Sequence, residues 1–316
     1  MTTPQSNKRH RWGIIYCPRM GALRPMRRWN EVREYLDERS VEYDFFISEK
    51  GESVEQKARM LADNEYETVV LIGGDRALQD AVNGIMSSEN RSKVSLGLIP
   101  NGIANDFARF WKMQNFDVKE AVDCIIAHRE RLVDIGYCRF VADGVEQTRY
   151  FLNVLNIGLG AIVVEIANRK HYIFARALSF IKGFIHLLFY RQNYSMKFRL
   201  NNTNVERRFM MLCIGNSRGY GMTPSAVPYN GMLDVTAMRE PKFLGVFQGI
   251  FMLARRKILN FKLVEPYRTK EIIIESVGGS HAAIDARPFN FNYPIYVGVE
   301  PEELKFIIPG RVGKKN

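Results

Sequence analysis

Thr68-Val69-Val70-Leu71-Ile72-Gly73-Gly74-Asp75 is the stretch on which the fold turns, and a helical pattern follows it through Met86. A continuous apolar run without polar alternation describes a strand covered on both faces. A strand that meets a helix through two glycines is a phosphate-binding arrangement in physical terms. The glycines let the backbone come close, the helix N-terminus presents unpaired N–H groups, and Asp75 can approach a metal. Many purely structural turns contain two glycines as well, so the neighbouring segments have to decide.

The same strand, loop, helix rhythm surrounds it. Ile14-Ile15-Tyr16 is a short apolar strand, followed by a loop with Pro18 and Gly21 and by a helix over residues 26–38 with Trp29, Val32 and Leu36 at helical spacing. A second strand covers residues 43–47, and Ser53-Val54-Glu55-Gln56 forms a capping box at the start of the next helix. A fourth strand at 96–99 meets Pro100 and a polar loop before a helix over 107–112. Apolar strands alternating with helices predict a Rossmann-like parallel sheet, whose ligand crevice lies beyond the carboxyl ends of its strands. The glycine-bearing loops should therefore open onto one site.

After Val133-Asp134-Ile135-Gly136 the pattern changes. Residues 151–157, 195–200, 208–214, 233–238, 271–275 and 293–299 read as strands, with helical insertions at 162–190 and 243–259. Strands joined by turns predict an antiparallel β-sandwich as a second domain. The expected division is a nucleotide-binding domain over residues 1–134 and a substrate domain over 135–299.

The chain has 316 residues and a formal net charge of +11, which predicts attraction to an anionic partner without choosing it. Nucleic acid rests on charge alone and is not expected as a partner, since dense basic arms are missing beyond Lys8-Arg9-His10-Arg11 and Arg255-Arg256-Lys257. The four cysteines, Cys17, Cys124, Cys138 and Cys213, form neither a zinc pattern nor a disulfide framework. With a charged, polar start and no signal-peptide apolar region, the expected location is cytoplasmic. The first eleven residues and the last four are expected to fray. Between residues 172 and 190, Arg176, Ser179, Lys182 and His186 fall on one helical stripe, which speaks against a bilayer span.

Several motifs together resemble the diacylglycerol kinase catalytic-domain family. Gly73-Gly74-Asp75-Arg76-Ala77, with Asp80 and Asn83-Gly84, is similar to that family's Gly-Gly-Asp-Gly-Thr loop. Pro100-Asn101-Gly102-Ile103-Ala104-Asn105-Asp106-Phe107-Ala108-Arg109 resembles its second nucleotide loop, and Cys17-Pro18-Arg19-Met20-Gly21 stands where it has Asn-Pro-x-x-Gly. Val133-Asp134, Phe151-Leu152-Asn153 with Gly158, Gly215-Asn216 through Gly221, Pro224-Ser225-Ala226, Asn230-Gly231-Met232-Leu233-Asp234 and Ile284-Asp285 then follow in the family's order. The resemblance spans nearly the whole chain. It implies ATP and Mg²⁺ in a cleft, transfer of the γ-phosphoryl group to a hydroxyl of a diacylglycerol-like or sphingoid lipid, and residues 300–316 returning to the first domain. Carried over by position, Ser48, Gly73, Gly74, Asp75, Arg76, Gly102, Asn105 and Asp106 bind the nucleotide, and Asp75 and Asp234 hold the metal. A helix N-cap is the plainer role for Asn105 and Asp106.

The departures from the family pattern bear on chemistry. Arg76 and Ala77 replace a glycine and a threonine, Asn230 stands for an aspartate, and Asp285-Ala286-Arg287 occupies the Asp-Gly-Glu site whose glutamate is the family's proposed general base. A guanidinium cannot accept a proton at neutral pH, so the base falls to Asp75, as the resemblance to sphingosine kinases implies, or to Asp285. Arg76 and Arg287 could neutralise phosphate charge instead. The leading expectation is an ATP-dependent lipid kinase acting peripherally at an anionic membrane surface, on the inner face. The helices near 172–190 and 243–257 would then meet lipid. The alternatives are a nucleotide- or lipid-binding pseudokinase without transfer activity, and a NAD kinase, which accounts poorly for the downstream motifs.

Overall fold

The computed structural model describes residues 11–18, 26–48, 53–102, 104–168, 193–218, 222–255, 257–279, 281–285, 287–290 and 292–310. Gly21, Ile103, Gly221, Arg256, Ala286, the 172–190 segment and all but Arg11 of the segments expected to fray lie outside them. The chain divides into two compact units, Met1–Val133 with Glu302–Asn316, and Asp134–Pro301.

In the first unit, β1 (Trp12–Tyr16), β2 (Tyr43–Ile47), β3 (Thr68–Gly73) and β4 (Ser95–Pro100) form a parallel sheet in the order β2-β1-β3-β4. Every residue of β1, β3 and β4 is buried, as their unbroken apolar runs require of strands covered on both faces. Helix α1 (Arg27–Glu38) buries Trp29, Val32 and Leu36. Helix α2 (Val54–Asp63) begins with the expected capping box, Ser53 and Gln56 exchanging side-chain to backbone bonds of 3.0 and 3.4 Å. Helix α3 (Asp75–Met86) packs on α2 through Gly84, where a Cβ would fall 2.1 Å from the Glu55 carbonyl oxygen. The family's Asn-Gly pair thus has a packing reason here. Two further helices follow, α4 (Asp106–Phe110) and α5 (Val118–Ile126). The second was missed in the sequence although Asp117 and Glu120 form a capping box at its start.

The second unit is a sandwich of two antiparallel sheets. One contains β5 (Glu130–Ala142), β6 (Val145–Phe151), β8 (Tyr194–Leu200), β9 (Thr203–Phe209), β13 (Glu271–Val277) and β16 (Ile295–Ile307). The other runs β12 (Val264–Thr269), β11 (Leu233–Met238), β10 (Met211–Gly215), β7 (Val154–Gly158), β14 (Ala282–Ile284), β15 (Arg287–Phe289). A single apolar cluster fills the space between them, built from alternate residues such as Phe198, Ile272 and Ile274 on one side and Leu155, Ile214 and Val235 on the other. The outer face of the second sheet is covered by α6 (Leu159–Asn168) and by a second cluster that includes Met210, Cys213, Met238 and Phe261. Strands β5 and β16 each begin in one unit and end in the other, and the final residues of β16 pair in parallel with β4 at Lys305 and Phe306.

Two strands read as continuous in the sequence are each split. The run at 151–157 breaks after Phe151 because the N–H groups of Leu152, Asn153 and Val154 turn to the Asp285 carboxylate. The run at 208–214 breaks at Met210, where the chain leaves the first sheet for the second. Both breaks are sandwich corners inside apolar runs, and periodicity cannot show them. Strand β12 was missed because it contains Pro266, which an edge strand tolerates. The helix expected over 243–259 ends at Ala254 and continues only as a 3₁₀ turn, Ile258–Asn260.

Candidate functional site

Within the first unit the carboxyl ends of β1 to β4 share one rim. Cys17 N–H donates to the Ile72 carbonyl at 2.9 Å, Ser48 N–H to that of Tyr16 at 2.8 Å, and Asn101 N–H to that of Gly73 at 2.8 Å. The strand order reverses between β1 and β3, the position at which open parallel sheets leave a crevice.

The two glycine loops touch backbone to backbone. A Cβ on Gly74 would meet the Gly102 Cα at 2.8 Å, and a Cβ on Gly102 would meet the Asn105 Oδ1 at 2.5 Å and the Gly74 Cα at 2.6 Å. Glycine is required at both positions by this contact. Asn105 takes a left-handed conformation, φ 49° and ψ 51°, which asparagine tolerates better than most residues. Its amide folds back on Gly102, accepting the N–H at 3.0 Å and donating to the carbonyl at 3.1 Å. The Asn105 side chain therefore makes no cap to α4. That task goes to Asp75, whose Oδ1 accepts the Asp106 N–H at 2.7 Å across 31 positions of sequence. Gly74, Asp75, Gly102, Asn105 and Asp106 are thus brought together, with Gly73 and Arg76 adjoining them and Ser48 at the end of β2. The start of α3 faces this rim with Gly74 at its N-cap, which has no side chain to cap the first-turn amides.

The remaining candidates lie in the second unit. Asp285 is 2 % exposed, and its carboxylate accepts three backbone N–H groups, from Leu152 at 3.1 Å, Asn153 at 3.0 Å and Val154 at 2.8 Å. Those bonds make it the clasp of the β6–β7 corner. Asp234, expected as a metal ligand, is held by Arg268 through bonds of 2.8 and 3.4 Å, and the carboxylate raises the Arg268 pKa above its ordinary value. Among the described residues no three His, Cys, Asp or Glu side chains gather as a metal site.

Several motif residues without an assigned role meet in one buried polar knot. The Asn216 amide donates to the carbonyls of Asp134 at 2.8 Å and Leu152 at 3.0 Å. The Asp134 carboxylate accepts Gly231 N–H at 2.6 Å, and Ser217 Oγ donates to Asn153 Oδ1 at 2.8 Å. Asp134, Asn153, Asn216 and Ser217 are all buried. Their shared order along the sequence was visible, but their convergence needed coordinates. The thiols of Cys124 and Cys213 are pushed up by burial to about 11 and about 12, and that of Cys138 higher still, so none is a ready nucleophile.

A parallel-sheet unit with locked glycine loops at its strand ends has the geometry of the open α/β class, in which such loops are suited to phosphate. Residues 11–138 match the family model described as the diacylglycerol kinase catalytic domain. It is 33% identical over 178 residues to the diacylglycerol kinase of Staphylococcus saprophyticus, covering 56% of this chain and 54% of that one. It is also 33% identical over 178 residues to the diacylglycerol kinase of Staphylococcus aureus, covering 56% and 53%. The aligned stretch thus spans about half the length of these relatives. A diacylglycerol kinase from Bacillus anthracis has the same fold, with a TM-score of 0.69 at 16% identity over 96% of this chain and 98% of that one.

Proposed function

We propose that the protein is an ATP-dependent lipid kinase, transferring the γ-phosphoryl group to a hydroxyl of a diacylglycerol-like or sphingoid lipid. The observation that carries this reading is the junction of the two glycine loops, where Asp75 accepts the Asp106 N–H at the strand-end rim. Phosphoryl transfer needs positioning and charge neutralisation more than covalent help from the protein. The α3 first turn and Arg76 are suited to the nucleotide phosphates, and Ser48 to hydrogen bonding with the nucleotide. The donor set suits an anion. Asp75 and Asp234 are the proposed magnesium-binding carboxylates, and Asp234 also bonds to Arg268 at 2.8 Å. Magnesium enters with the substrate as MgATP. Asp75 is the proposed base: its Oδ1 is fixed by Asp106, and the carboxylate takes the acceptor proton as the lipid oxygen bonds to phosphorus and ADP departs.

The test is radiolabelled transfer from γ-labelled ATP to an extracted lipid pool, comparing wild type with Asp75→Asn. The amide keeps an acceptor for the Asp106 N–H but loses the base, so labelling should fall by a factor of about 100 or more. Undiminished labelling by Asp75→Asn removes Asp75 from the chemistry. A wild-type protein that ATP stabilises yet that labels nothing is a nucleotide binder without transfer activity.

A further inference from the structure

The helix Phe243–Ala254 carries no charged residue and a single polar side chain, Gln248. One side of it is accounted for. Val246 is buried, Gly249 lies where a Cβ would be 3.3 Å from the Phe261 ring, and Met252 and Leu253 pack on the cluster beneath β10 and β11. The other side presents Leu244 at 79%, Phe247 at 49%, Ile250 at 41% and Phe251 at 55% exposure. Leu244, Phe247 and Phe251 fall on one helical stripe. An apolar stripe of this size, left in water by a protein that could have chosen polar residues there, marks an interaction surface.

Its flanks say what it fits. From Pro241 to Lys262 the sequence holds five basic residues, Lys242, Arg255, Arg256, Lys257 and Lys262, and no acid. Lys242 is at the N-cap, where the helix dipole favours an acid, so the helix itself gives no reason for its charge. At the other end the Arg255 guanidinium lies 4.4 Å from the centre of the Phe251 ring, a cation poised at the edge of the apolar stripe. Twelve residues make a helix about 18 Å long, well short of the roughly 30 Å hydrocarbon core. No helix among the described residues is long and apolar enough to cross a membrane. A short apolar stripe bounded by cations suits a helix lying in the interfacial plane.

We infer that the exposed face of helix Phe243–Ala254 docks the protein on an anionic lipid bilayer, with Leu244, Ile250 and Phe251 entering the acyl boundary and Lys242, Arg255 and Lys257 meeting acidic head groups. The inference rests on the lipid-kinase reading for preferring a bilayer to a protein groove, and binding is measured without turnover so that the two can fail separately. The experiment is sedimentation of the full chain with vesicles of phosphatidylcholine alone and with about 30% phosphatidylglycerol added. Wild type should bind the anionic vesicles at least tenfold better than the neutral ones, since each basic residue at the surface contributes about fivefold. Leu244→Asp and Phe251→Asp should each lower anionic binding about tenfold or more, as expected for removing a buried apolar side chain and adding a charge. Val145→Asp, at a residue 62% exposed in a different hairpin, should bind as wild type does. Equal binding of wild type to both vesicle types, or no loss in the two helix variants, overturns the assignment. So does a wild type that ignores vesicles and dimerises through the helix, read as a monomer shift in Phe251→Asp by analytical ultracentrifugation. Phosphorylation of a short-chain diacylglycerol in detergent, run in parallel, tests the kinase reading alone.

Discussion

Gly102→Ala probes the locked loops most directly. The new methyl would lie 2.5 Å from Asn105 Oδ1 and 2.6 Å from Gly74 Cα. Carbon atoms at rest stay about 3.5 Å apart, so the loops must separate by about 1 Å. Gly74 offers backbone and no flexible tip to move aside. The Asn105 amide can swing away only by giving up its bonds of 3.0 and 3.1 Å to Gly102. Overpacking costs about 1–3 kcal/mol and each lost bond about 1 kcal/mol, which together suggest about 3 kcal/mol. For a unit of this size that lowers Tm by about 6–12 °C. A displacement of about 1 Å beside the reacting groups lowers kcat by about 100-fold. Thermal melts with and without MgATP, together with lipid phosphorylation, measure both effects. Gly144→Ala is the control: its φ is +76° but nothing lies within 4 Å of the added methyl, so it should cost about 1 kcal/mol and leave turnover unchanged. A Gly102→Ala protein with wild-type melting, ATP stabilisation and turnover would refute the loop junction as the core of the site.

Asp285→Asn should act on stability rather than on chemistry. An amide cannot accept three N–H groups as the carboxylate does, and the expected loss is about 2–4 kcal/mol, seen in denaturant melts. ATP stabilisation should survive it, and a variant of full stability that loses only turnover would favour Asp285 as a base. High pH supplies another check. Burial, with hydrogen bonds to Asp44 and Glu265, pushes the Tyr66 and Tyr267 phenols up from an ordinary 10.0 to about 12. A raised folded pKa means that this stability is complete below about pH 10 and is lost as pH climbs toward 12. The denaturation midpoint should therefore fall over that window, and a Tyr66→Phe, Tyr267→Phe double variant should show a shallower fall.

The first unit was legible because its fold is written in local signals. Unbroken apolar strands such as 68–72, a capping box at Ser53 and glycines after β3 each report on their own neighbourhood, and they sufficed to predict a parallel sheet with loops at one end. Helix α5 carries an equally local signal, the Asp117–Glu120 capping box. In the second unit the sequence showed only part of the strands, leaving out β5, β12, β14 and β15, and none of the corners, because an apolar run looks the same whether the chain stays in one sheet or crosses to the other.

Roles were harder to read than elements. A carboxylate's use depends on what faces it, and for Asp75, Asp234 and Asp285 the partner lies 31, 34 and more than 130 positions away. The sequence by itself determined the two architectures, the order of the motifs and the loss of a glutamate at Arg287. Only tertiary structure decided that Asp75 clasps the second glycine loop, that Arg268 pairs with Asp234 and that Asp285 pins a sandwich corner. Hydrophobic periodicity is a property of consecutive residues, whereas hydrogen bonding and charge pairing are settled by whichever groups folding brings within about 3 Å.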